Sequence, residues 1–404
     1  MLLNRARTFI LILAAAALLP RAVVSQTPAV DPSDIFFDDT VLHDIRLVIN
    51  DRDLESLHVN FLSNEYYPVN FTWRDKALPG VGIRSRGTGS RSGVKPGLRI
   101  DFDRWATDQK FLGLKSVILR NQTQDPSNLR ERLSMLFFRR MGLKAERQAH
   151  ARLFFKDRYA GLYTIVESVD KVFLKKNFGE DTSNLYVPTP FKPEMKETDT
   201  QPQYIERLIW TIDQADDAAW RQSIAEYLDL PKFIRHLAIE SFLAEEDGLT
   251  GDYGPNNFYF YRYEGKSLFQ FIPWDKSNTF WEAPSPNYFI LRNVEDGPVD
   301  HRNRLVQRAL KYPDLWTLYL DTLEECANSA SAGATAGDNP QPGWLASEIQ
   351  RQYLQIREAA LADTLIFTNA QFEQAVADLK AFAAGRSDAV KAQVATYRAR
   401  GPLP

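Results

Sequence analysis

The sequence predicts an α+β protein whose first part is rich in strands and whose second part is mainly helical. Short runs that alternate apolar and polar residues mark several strands between residues 41 and 170. Amphipathic helices are expected between residues 204 and 246, at 300–323 and at 344–398. With 404 residues and 44% hydrophobic content, the chain can bury a large core as one large domain or as two lobes.

The N-terminal residues have the pattern of a secretory signal peptide. Arg5 and Arg7 form a basic start, residues 9–19 are an apolar run too short to span a bilayer, and residues 22–25 offer a small-residue cleavage site. We therefore expect a signal peptide at residues 1–25 and a secreted or periplasmic protein without a later transmembrane segment. Residues 26–40 are rich in Pro and Asp and predict a linker.

The composition excludes several function classes. A net charge of −3, a pI near 6.1 and the lack of a basic tract argue against a general nucleic-acid binder. The single Cys326 cannot form an internal disulfide and is expected to be a small buried side chain. The five histidines are scattered, which argues against a histidine-rich metal site.

A glycine- and serine-rich loop lies between two predicted strands in residues 80–103. Gly87 and Gly89 allow close backbone approach, and Arg84, Arg86 and Lys95 supply positive charge nearby. Such a loop can fold over phosphate groups. A flexible surface hairpin with solvated arginines is the alternative.

The most informative segment is a predicted aromatic hairpin. Residues 257–263 and 268–272 are strand-like, and the four residues between them supply a turn. Because a hairpin brings its two ends together, Asn257 and Asp275 are expected side by side, with Asp252 shortly before them. Carboxylate and amide oxygens from two chain segments suit a metal ion that bridges phosphates.

The spacing of these residues is that of the protein kinases. There, a catalytic Asp accepts the substrate proton, an Asn five residues later holds magnesium, and a hairpin leads to a second metal-binding Asp. Asp252, Asn257 and Asp275 follow the same order. Unlike in those kinases, no His-Arg pair precedes Asp252, and Asp275 stands in Pro-Trp-Asp-Lys instead of Asp-Phe-Gly. An ordinary hairpin with Asp and Asn in turns is the alternative.

The ordered set of motifs resembles the spore-coat-protein-H (CotH) kinase family, secreted proteins with a divergent kinase-like fold. The resemblance covers roughly residues 40–320 and adds four segments upstream of the hairpin, which are residues 82–87, 95–96, 125–130 and 161–167. It implies a two-lobed kinase-like fold with a β-rich N-lobe at residues 41–170 and a mainly helical C-lobe at residues 171–404.

Two departures from the family pattern are visible. The family usually has Trp-Asp-x-Asp, whereas Ser277 stands here at the position of the second Asp. The residues before the aromatic strand are often His-Asn, and here they are Asn256 and Asn257. The first departure removes one expected metal ligand.

The resemblance implies an exported atypical kinase that transfers the γ-phosphoryl group of ATP to Ser/Thr hydroxyls of a secreted or envelope protein. Asp252 would accept the hydroxyl proton, and Asn257 and Asp275 would hold Mg²⁺ or Mn²⁺. The residues expected to face the nucleotide are Arg84, Arg86, Gly87, Gly89, Lys95, Arg120, Glu131 and Glu167.

Two of these assignments leave alternatives open. Glu131, in the first turn of a predicted helix, can pair with Arg120, Lys115 or Lys95, or simply complement the helix dipole. Glu167 follows a second predicted hairpin, where it can orient the connection between lobes, bind ribose or cap the next helix.

Two other functions fit the sequence. One is a kinase-folded protein without catalysis, with a structural or adhesive role outside the cell, which Ser277 favours. The other is a glycan hydrolase in which Asp247 and Asp252 form an acid–base pair. A plain solvated acidic helix end is the alternative for Asp247.

Overall fold

The structure is a computed structural model that describes residues 31–181, 185–187, 202–252, 254–295, 297–299, 302–335 and 341–404. The predicted signal peptide lies outside these residues. Within them, strands dominate the first part and helices the second, as the sequence predicted.

A closed barrel of seven strands forms the first part of the described chain. The strands are β1 (His43–Ile49), β2 (Tyr67–Trp73), β3 (Lys76–Ser85), β4 (Leu98–Asp101), β5 (Ser116–Arg120), β6 (Gln148–Phe155) and β7 (Arg158–Glu167). They are ordered β1-β2-β3-β4-β5-β7-β6, and a parallel pairing of β1 with β6 closes the barrel. Alternate residues such as Ile45, Leu47 and Ile49 fill the interior, because successive side chains of a strand point to opposite faces.

Helices make up most of the second part, and a few interrupt the strands of the first. They are α1 (Asp51–Val59), α2 (Arg130–Arg140), α3 (Lys171–Phe178), α4 (Pro202–Gln214), α5 (Asp217–Ile224), α6 (Leu230–Phe242), α7 (Arg304–Ala309), α8 (Pro313–Ser331), α9 (Trp344–Ala362) and α10 (Asn369–Arg400). A small sheet of β8 (Leu185–Tyr186), β9 (Phe258–Arg262) and β10 (Phe269–Pro273) lies beside them in the order β10-β9-β8.

The long helical stretches that the sequence predicted are divided into shorter helices. Asp216 caps the backbone N–H of Ala218 and starts α5 as a separate helix. Pro313 lies in the first turn of α8, where its missing N–H is tolerated, and so ends the preceding segment. Thr368 and Gln371 form a capping box that starts α10. Hydrophobic periodicity alone does not show these breaks, because it continues on both sides of them.

The prediction of a linker at residues 26–40 is wrong for its described part, residues 31–40. Phe36 is fully buried and packs edge-on against Trp73 and Phe111 inside the barrel. Arg147 also forms ion pairs with Asp31 and Asp34. The Pro- and Asp-rich composition concealed two buried aromatic residues, Phe36 and Phe37, that fix this segment to the barrel.

A small hydrophobic cluster joins the outside of the barrel to the small sheet. Ile118 of β5 and Val166 of β7 pack in it with Tyr259 of β9, Ile272 of β10 and Trp274. The last residues of β5 and β10 are thereby brought close together. This contact determines where the candidate site lies.

Candidate functional site

The aromatic hairpin forms as the sequence predicted and places Asn257 and Asp275 at its open end. Strands β9 and β10 are antiparallel, with Phe258 opposite Pro273. The pairing continues one residue further, where the Trp274 N–H donates to the Asn257 carbonyl oxygen at 3.2 Å. Asn257 and Asp275 have φ values of 55° and 49°, in the left-handed region that non-glycine residues seldom adopt. Such strained backbone is common where side chains are held for a function.

Arg120 at the end of β5 connects the barrel to this hairpin. Its Nε lies 2.8 Å from Glu131 Oε2 on α2, and its Nη1 lies 2.9 Å from Asp275 Oδ1. The planar guanidinium group can bind two carboxylates at once, which a lysine ammonium does less specifically. Of the three basic residues that the sequence left open, Arg120 is therefore the partner of Glu131. Lys115 instead lies 3.9 Å from Asp103.

The buried charges of this cluster influence one another. Burial alone would raise the pKa of Asp275, but Arg120 and Arg86 hold it below its usual value. Burial raises the pKa of Glu131 to about 7, against the lowering effect of Arg120. The pKa of Arg120 is itself raised despite burial, which requires ionised partners. We therefore assign the negative charge first to Asp275 and second to Glu131.

The glycine-rich loop lies at the same end of the barrel. Asn121, the residue after Arg120, donates from Nδ2 to the carbonyl oxygens of Ser90 at 2.9 Å and Lys95 at 2.7 Å. Gly87 has a φ of 113°, and a Cβ there would lie 2.5 Å from Ser90 Oγ, so this position requires glycine. Gly89 meets only Gln124, at 3.6 Å, and has no such requirement.

Arg86 and Arg84 have different surroundings. The Arg86 guanidinium lies over the Trp274 ring, 5.3 Å from its centroid. Trp274 directly precedes Asp275 in the chain. Burial and the nearby Arg120 lower the pKa of Arg86 to about 10. Arg84 instead donates to Asn64 Oδ1 at 3.1 Å. Of the two arginines, Arg86 is the one that joins the cluster.

Asp252 is held in place by residues that come later in the chain. Asn293 Nδ2 donates to its Oδ1 at 2.7 Å, and Arg292 Nη2 to its Oδ2 at 3.0 Å. A hydrogen bond from Glu246 is the largest of the effects that lower the pKa of Asp252, while burial raises the pKa of Glu246 to about 7. Glu246 can thus hold a proton near neutral pH while Asp252 remains ionised. A side chain 40% exposed leaves this carboxylate accessible to a substrate.

A sequence model of the CotH kinase protein family matches residues 83–390, about three quarters of the chain. The chain belongs to the CotH kinase family. This confirms the resemblance found in the sequence, and it makes the protein kinase-like. Inner spore coat protein H of Bacillus subtilis (strain 168) is 25% identical over 255 residues, which cover 58% of this chain and 68% of that protein.

Two solved structures are also similar to this CotH kinase family member. The Helicobacter pylori proinflammatory kinase CtkA shares 10% identity, with 74% of this chain and 94% of that chain covered and a TM-score of 0.29. The Shewanella oneidensis MR-1 HipA–HipB toxin–antitoxin complex with its operator DNA shares 11% identity, with 86% and 74% covered and the same TM-score, 0.29. Scores this low do not establish a shared architecture.

Two residues expected to face the nucleotide have partners elsewhere. The Lys95 Nζ lies 2.6 Å from Asp363 Oδ2 at the end of α9, and both side chains are buried. The same Asp363 oxygen accepts the Leu162 N–H at 2.8 Å. Glu167 binds Arg147, whose Nε donates to its Oε2 at 3.0 Å. These pairs contradict a phosphate role for Lys95 and favour an orienting role for Glu167.

The helix that follows Glu167 is capped by another residue. Asp170 accepts the N–H groups of Val172 and Phe173 at the start of α3. Glu167 is therefore not the cap that the sequence allowed. Its buried ion pair instead fixes the end of β7.

Several residues of this site carried little signal in the sequence. Asp247 accepts from Asn257 Nδ2 at 2.8 Å and from Asn256 Nδ2 at 3.0 Å. The sequence placed it at the end of a predicted helix, where an acid opposes the dipole, although α6 ends earlier, at Phe242. Arg292 and Asn293 lie some forty positions after Asp252, and no local pattern connects them to it.

The donor set around Asn257 and Asp275 fits a hard divalent cation. Asn257 donates from its Nδ2 to Asp247, so the Oδ1 of its amide points away from Asp247 and can serve as a metal ligand. Arg120 and Ser277 both occupy Asp275 Oδ1, and Oδ2 has no partner within the described residues. An amide oxygen and a carboxylate oxygen are ligands that Mg²⁺ accepts, together with water and phosphate oxygens. The described residues contain no cluster of three or more His, Cys, Asp or Glu that could hold a metal by themselves.

Proposed function

We propose that this protein is an exported atypical kinase that transfers the γ-phosphoryl group of ATP to Ser/Thr hydroxyls of secreted or envelope proteins. In this proposal the barrel and the helical part act as the two lobes of a kinase. Family membership supports the kinase class. The signal-like N-terminal sequence supports export, and no helix in the described ranges is long and apolar enough to cross a membrane.

One observation carries the proposal more than any other. Arg120 joins Glu131 of α2 to Asp275 at the hairpin end, at 2.8 and 2.9 Å. Active protein kinases place a basic strand residue against a helix carboxylate, next to the metal-binding Asp. Arg120 has the additional contact to Asp275 that brings these parts into one cluster.

Each residue then has a role that follows from its surroundings. Asp252, kept ionised by its neighbours, accepts the proton of the substrate hydroxyl. Asn257 and Asp275 would hold Mg²⁺ or Mn²⁺, which neutralises developing charge on the phosphates. Arg86 and the backbone of the loop from Gly87 would lie against the phosphates. Glu131 positions Arg120.

Calorimetric titration of ATP into the wild-type protein, with and without Mg²⁺ or Mn²⁺, tests the nucleotide site. Metal-dependent binding is expected in the wild type and should be lost in Asp275→Ala. Asp378→Ala removes a carboxylate from the surface of α10 and serves as the matched control, because it should bind like the wild type. Equal binding by Asp275→Ala and wild type would overturn the proposed metal site.

The second candidate is a kinase-folded protein without turnover that acts as a structural or adhesive module. The observation in its favour is Ser277, which stands where the family usually has Asp and donates to Asp275 Oδ1 at 3.1 Å. The measurement is phosphate transfer by the wild type and by Ser277→Asp. Nucleotide binding without transfer in the wild type, with transfer gained in Ser277→Asp, would favour this candidate.

A further inference from the structure

The Asp247 carboxylate accepts hydrogen bonds from the side-chain amides of three asparagines. Asn256 Nδ2 lies 3.0 Å from its Oδ1, and Asn257 Nδ2 lies 2.8 Å from its Oδ2. Asn278 Nδ2 lies 3.5 Å from the same Oδ2. Two of these amides precede the aromatic strand β9, and the third follows β10. Asp247 thereby contacts the chain on both sides of the hairpin.

Asn256 and Asn257 are neighbours in the chain, yet their side chains reach the same carboxylate. In an extended strand, successive side chains point to opposite faces. The φ of 55° at Asn257 interrupts this alternation just before β9 begins at Phe258. Asparagine adopts such left-handed backbone more readily than most residues. One carboxylate can therefore bind both amides, one on each oxygen.

The chemistry of the two groups decides which way the Asn257 amide faces. A carboxylate that is ionised only accepts hydrogen bonds, whereas a side-chain amide has an NH₂ group at one end and an oxygen at the other. Asp247 therefore requires the NH₂ end of Asn257, which leaves Oδ1 on the other side of the amide. A neutral amide at position 247 would have no such requirement, because it could pair with either end.

The loop that holds Asp247 also carries Asp252. The Asp252 N–H donates to the Glu246 carbonyl oxygen at 3.0 Å, which closes this loop. The Asp247 N–H donates to Oε1 of the buried Glu245 at 2.9 Å. The backbone of Asp247 is thus fixed independently of its side chain. A substitution that changes only the side-chain atoms can therefore test the amide contacts while the backbone contact remains.

Two simpler roles for Asp247 fit these contacts less well. A solvated acid at a helix end would leave its oxygens to water, whereas both oxygens of Asp247 bind amides. A metal ion bound directly to Asp247 would have to approach oxygens that already have N–H groups beside them. Those groups carry partial positive charge and disfavour a cation at the same place.

We propose that Asp247 is a positioning residue of the metal site, which holds the Asn257 amide so that Oδ1, and not Nδ2, is available to the ion. This role rests on the proposed function, in which Asn257 and Asp275 hold Mg²⁺ or Mn²⁺. Hydrogen-bond partners of metal ligands orient those ligands, and their loss typically costs roughly 10–100-fold in metal affinity. Asp247 itself touches neither the ion nor the nucleotide.

Calorimetric titration of ATP with Mg²⁺ into Asp247→Asn tests this role. The metal-dependent affinity should fall roughly 10–100-fold, because the orientation of the Asn257 amide is no longer enforced. Asp378→Asn is the matched control, since Asp378 on α10 accepts an amide N–H of Gln374 at the same distance, 2.8 Å. The control should bind like the wild type. Unchanged affinity in Asp247→Asn would overturn the positioning role.

A second change should restore the orientation without altering Asn257. In the double variant Asp247→Asn with Asn256→Asp, the carboxylate at position 256 takes the NH₂ end of the amide at position 247. The oxygen of that amide is then left for Asn257 Nδ2, as Asp247 Oδ2 is in the wild type. Metal-dependent affinity is expected to return close to the wild-type value. A folded double variant that binds no more tightly than Asp247→Asn would overturn the role.

Asn256→Asp alone separates orientation from charge. It adds to the wild type the same negative charge that the double variant regains. It should not raise the metal-dependent affinity, because the Asn257 amide is already oriented in the wild type. A rise as large as the recovery seen in the double variant would indicate a general charge effect and contradict the positioning role.

Denaturant unfolding of metal-free protein tests the contact itself. Asn256→Asp places two carboxylates where a carboxylate and an amide meet at 3.0 Å, so its unfolding midpoint should be lower than that of the wild type. The double variant should have a higher midpoint than Asn256→Asp, because a carboxylate–amide pair forms again. A double-variant midpoint at or below that of Asn256→Asp would overturn the contact.

The wild-type titration distinguishes this inference from the proposed function. Absence of metal-dependent ATP binding by the wild type would overturn the proposed function and the positioning role with it. The unfolding result would still report on the contact between positions 247 and 256. Metal-dependent binding that is equal in the wild type and in Asp247→Asn would overturn the positioning role alone.

Discussion

Asp275 and Lys276 are adjacent in the chain, yet each belongs to a different buried charge network. Asp275 contacts Arg120 of the barrel and keeps about a quarter of its side chain exposed. Lys276 contacts Glu240 of α6 and is fully buried. The first network faces the place proposed for metal and nucleotide, while the second is sealed. The comparison teaches that Asp275 can stay accessible for binding because the neighbouring Lys276, through its buried ion pair, fixes the backbone that holds it.

The largest expected effect is a loss of turnover at the accessible candidate active site. Asp252→Asn should lower kcat by roughly 10²–10⁴-fold, because an amide cannot accept the substrate proton. Binding of ATP with Mg²⁺ should remain close to that of the wild type, since Asp252 is not among the proposed metal ligands. Steady-state kinetics and calorimetry on the same preparation measure both quantities. Unchanged turnover would remove Asp252 from the mechanism.

The next effect is a loss of stability when the buried pair of Lys276 and Glu240 is broken. Lys276→Met should lower the free energy of unfolding by about 3–5 kcal/mol, because it leaves the buried Glu240 carboxylate without its cation. Denaturant unfolding measures this change. Lys311→Met at an exposed position is the control and should be nearly neutral. Similar stabilities of the two variants would contradict the role given to Lys276.

A smaller effect is expected where the two parts of the molecule meet. Arg120→Lys keeps the charge but replaces a planar group that binds two carboxylates. It should cost about 1–3 kcal/mol of unfolding free energy through poorly satisfied buried carboxylates. Affinity for ATP with Mg²⁺ should fall as Asp275 loses its orientation. Preserved affinity together with preserved stability would show that the two-carboxylate contact is dispensable.

The last expected effect is a dependence of the free energy of unfolding on pH. The pKa of Glu240 is about 2 in the folded protein, against an ordinary value of 4.5. A lowered carboxylate pKa contributes stability that is present above pH 4.5 and is lost as the pH falls toward 2, at about 1.4 kcal/mol per unit. Glu240→Gln should flatten this part of an unfolding-versus-pH curve. The same slope in wild type and variant would contradict the lowered pKa.

The sequence predicted the parts of the site that depend on local pairing. An antiparallel hairpin necessarily brings its ends together, so its residue pattern alone was enough to place Asn257 and Asp275 side by side. The pairing of Glu131 with Arg120 could only be narrowed to three basic residues, because the choice depends on how β5 and α2 pack.

The rest of the site depends on contacts between distant positions. Lys95 looked like a phosphate ligand because it follows the glycine-rich loop, yet its charge is taken up by Asp363 far along the chain. Arg292 and Asn293 lie in a segment without any motif. Hydrophobic periods of 2 and 3.6 residues indicate which face of a strand or helix is buried. They do not indicate which distant segment packs against that face.

The buried pair of Lys95 and Asp363 has a consequence for biosynthesis. A ribosome that adds 5–20 residues per second needs roughly 15–50 s to travel from one position to the other. During that interval the barrel cannot seal Lys95 with its partner, so the early strands emerge with an unmatched charge at a position that is buried in the finished protein. The fold is completed only when the last helices have been made. Under the proposed export, such late closure would keep the chain open for translocation.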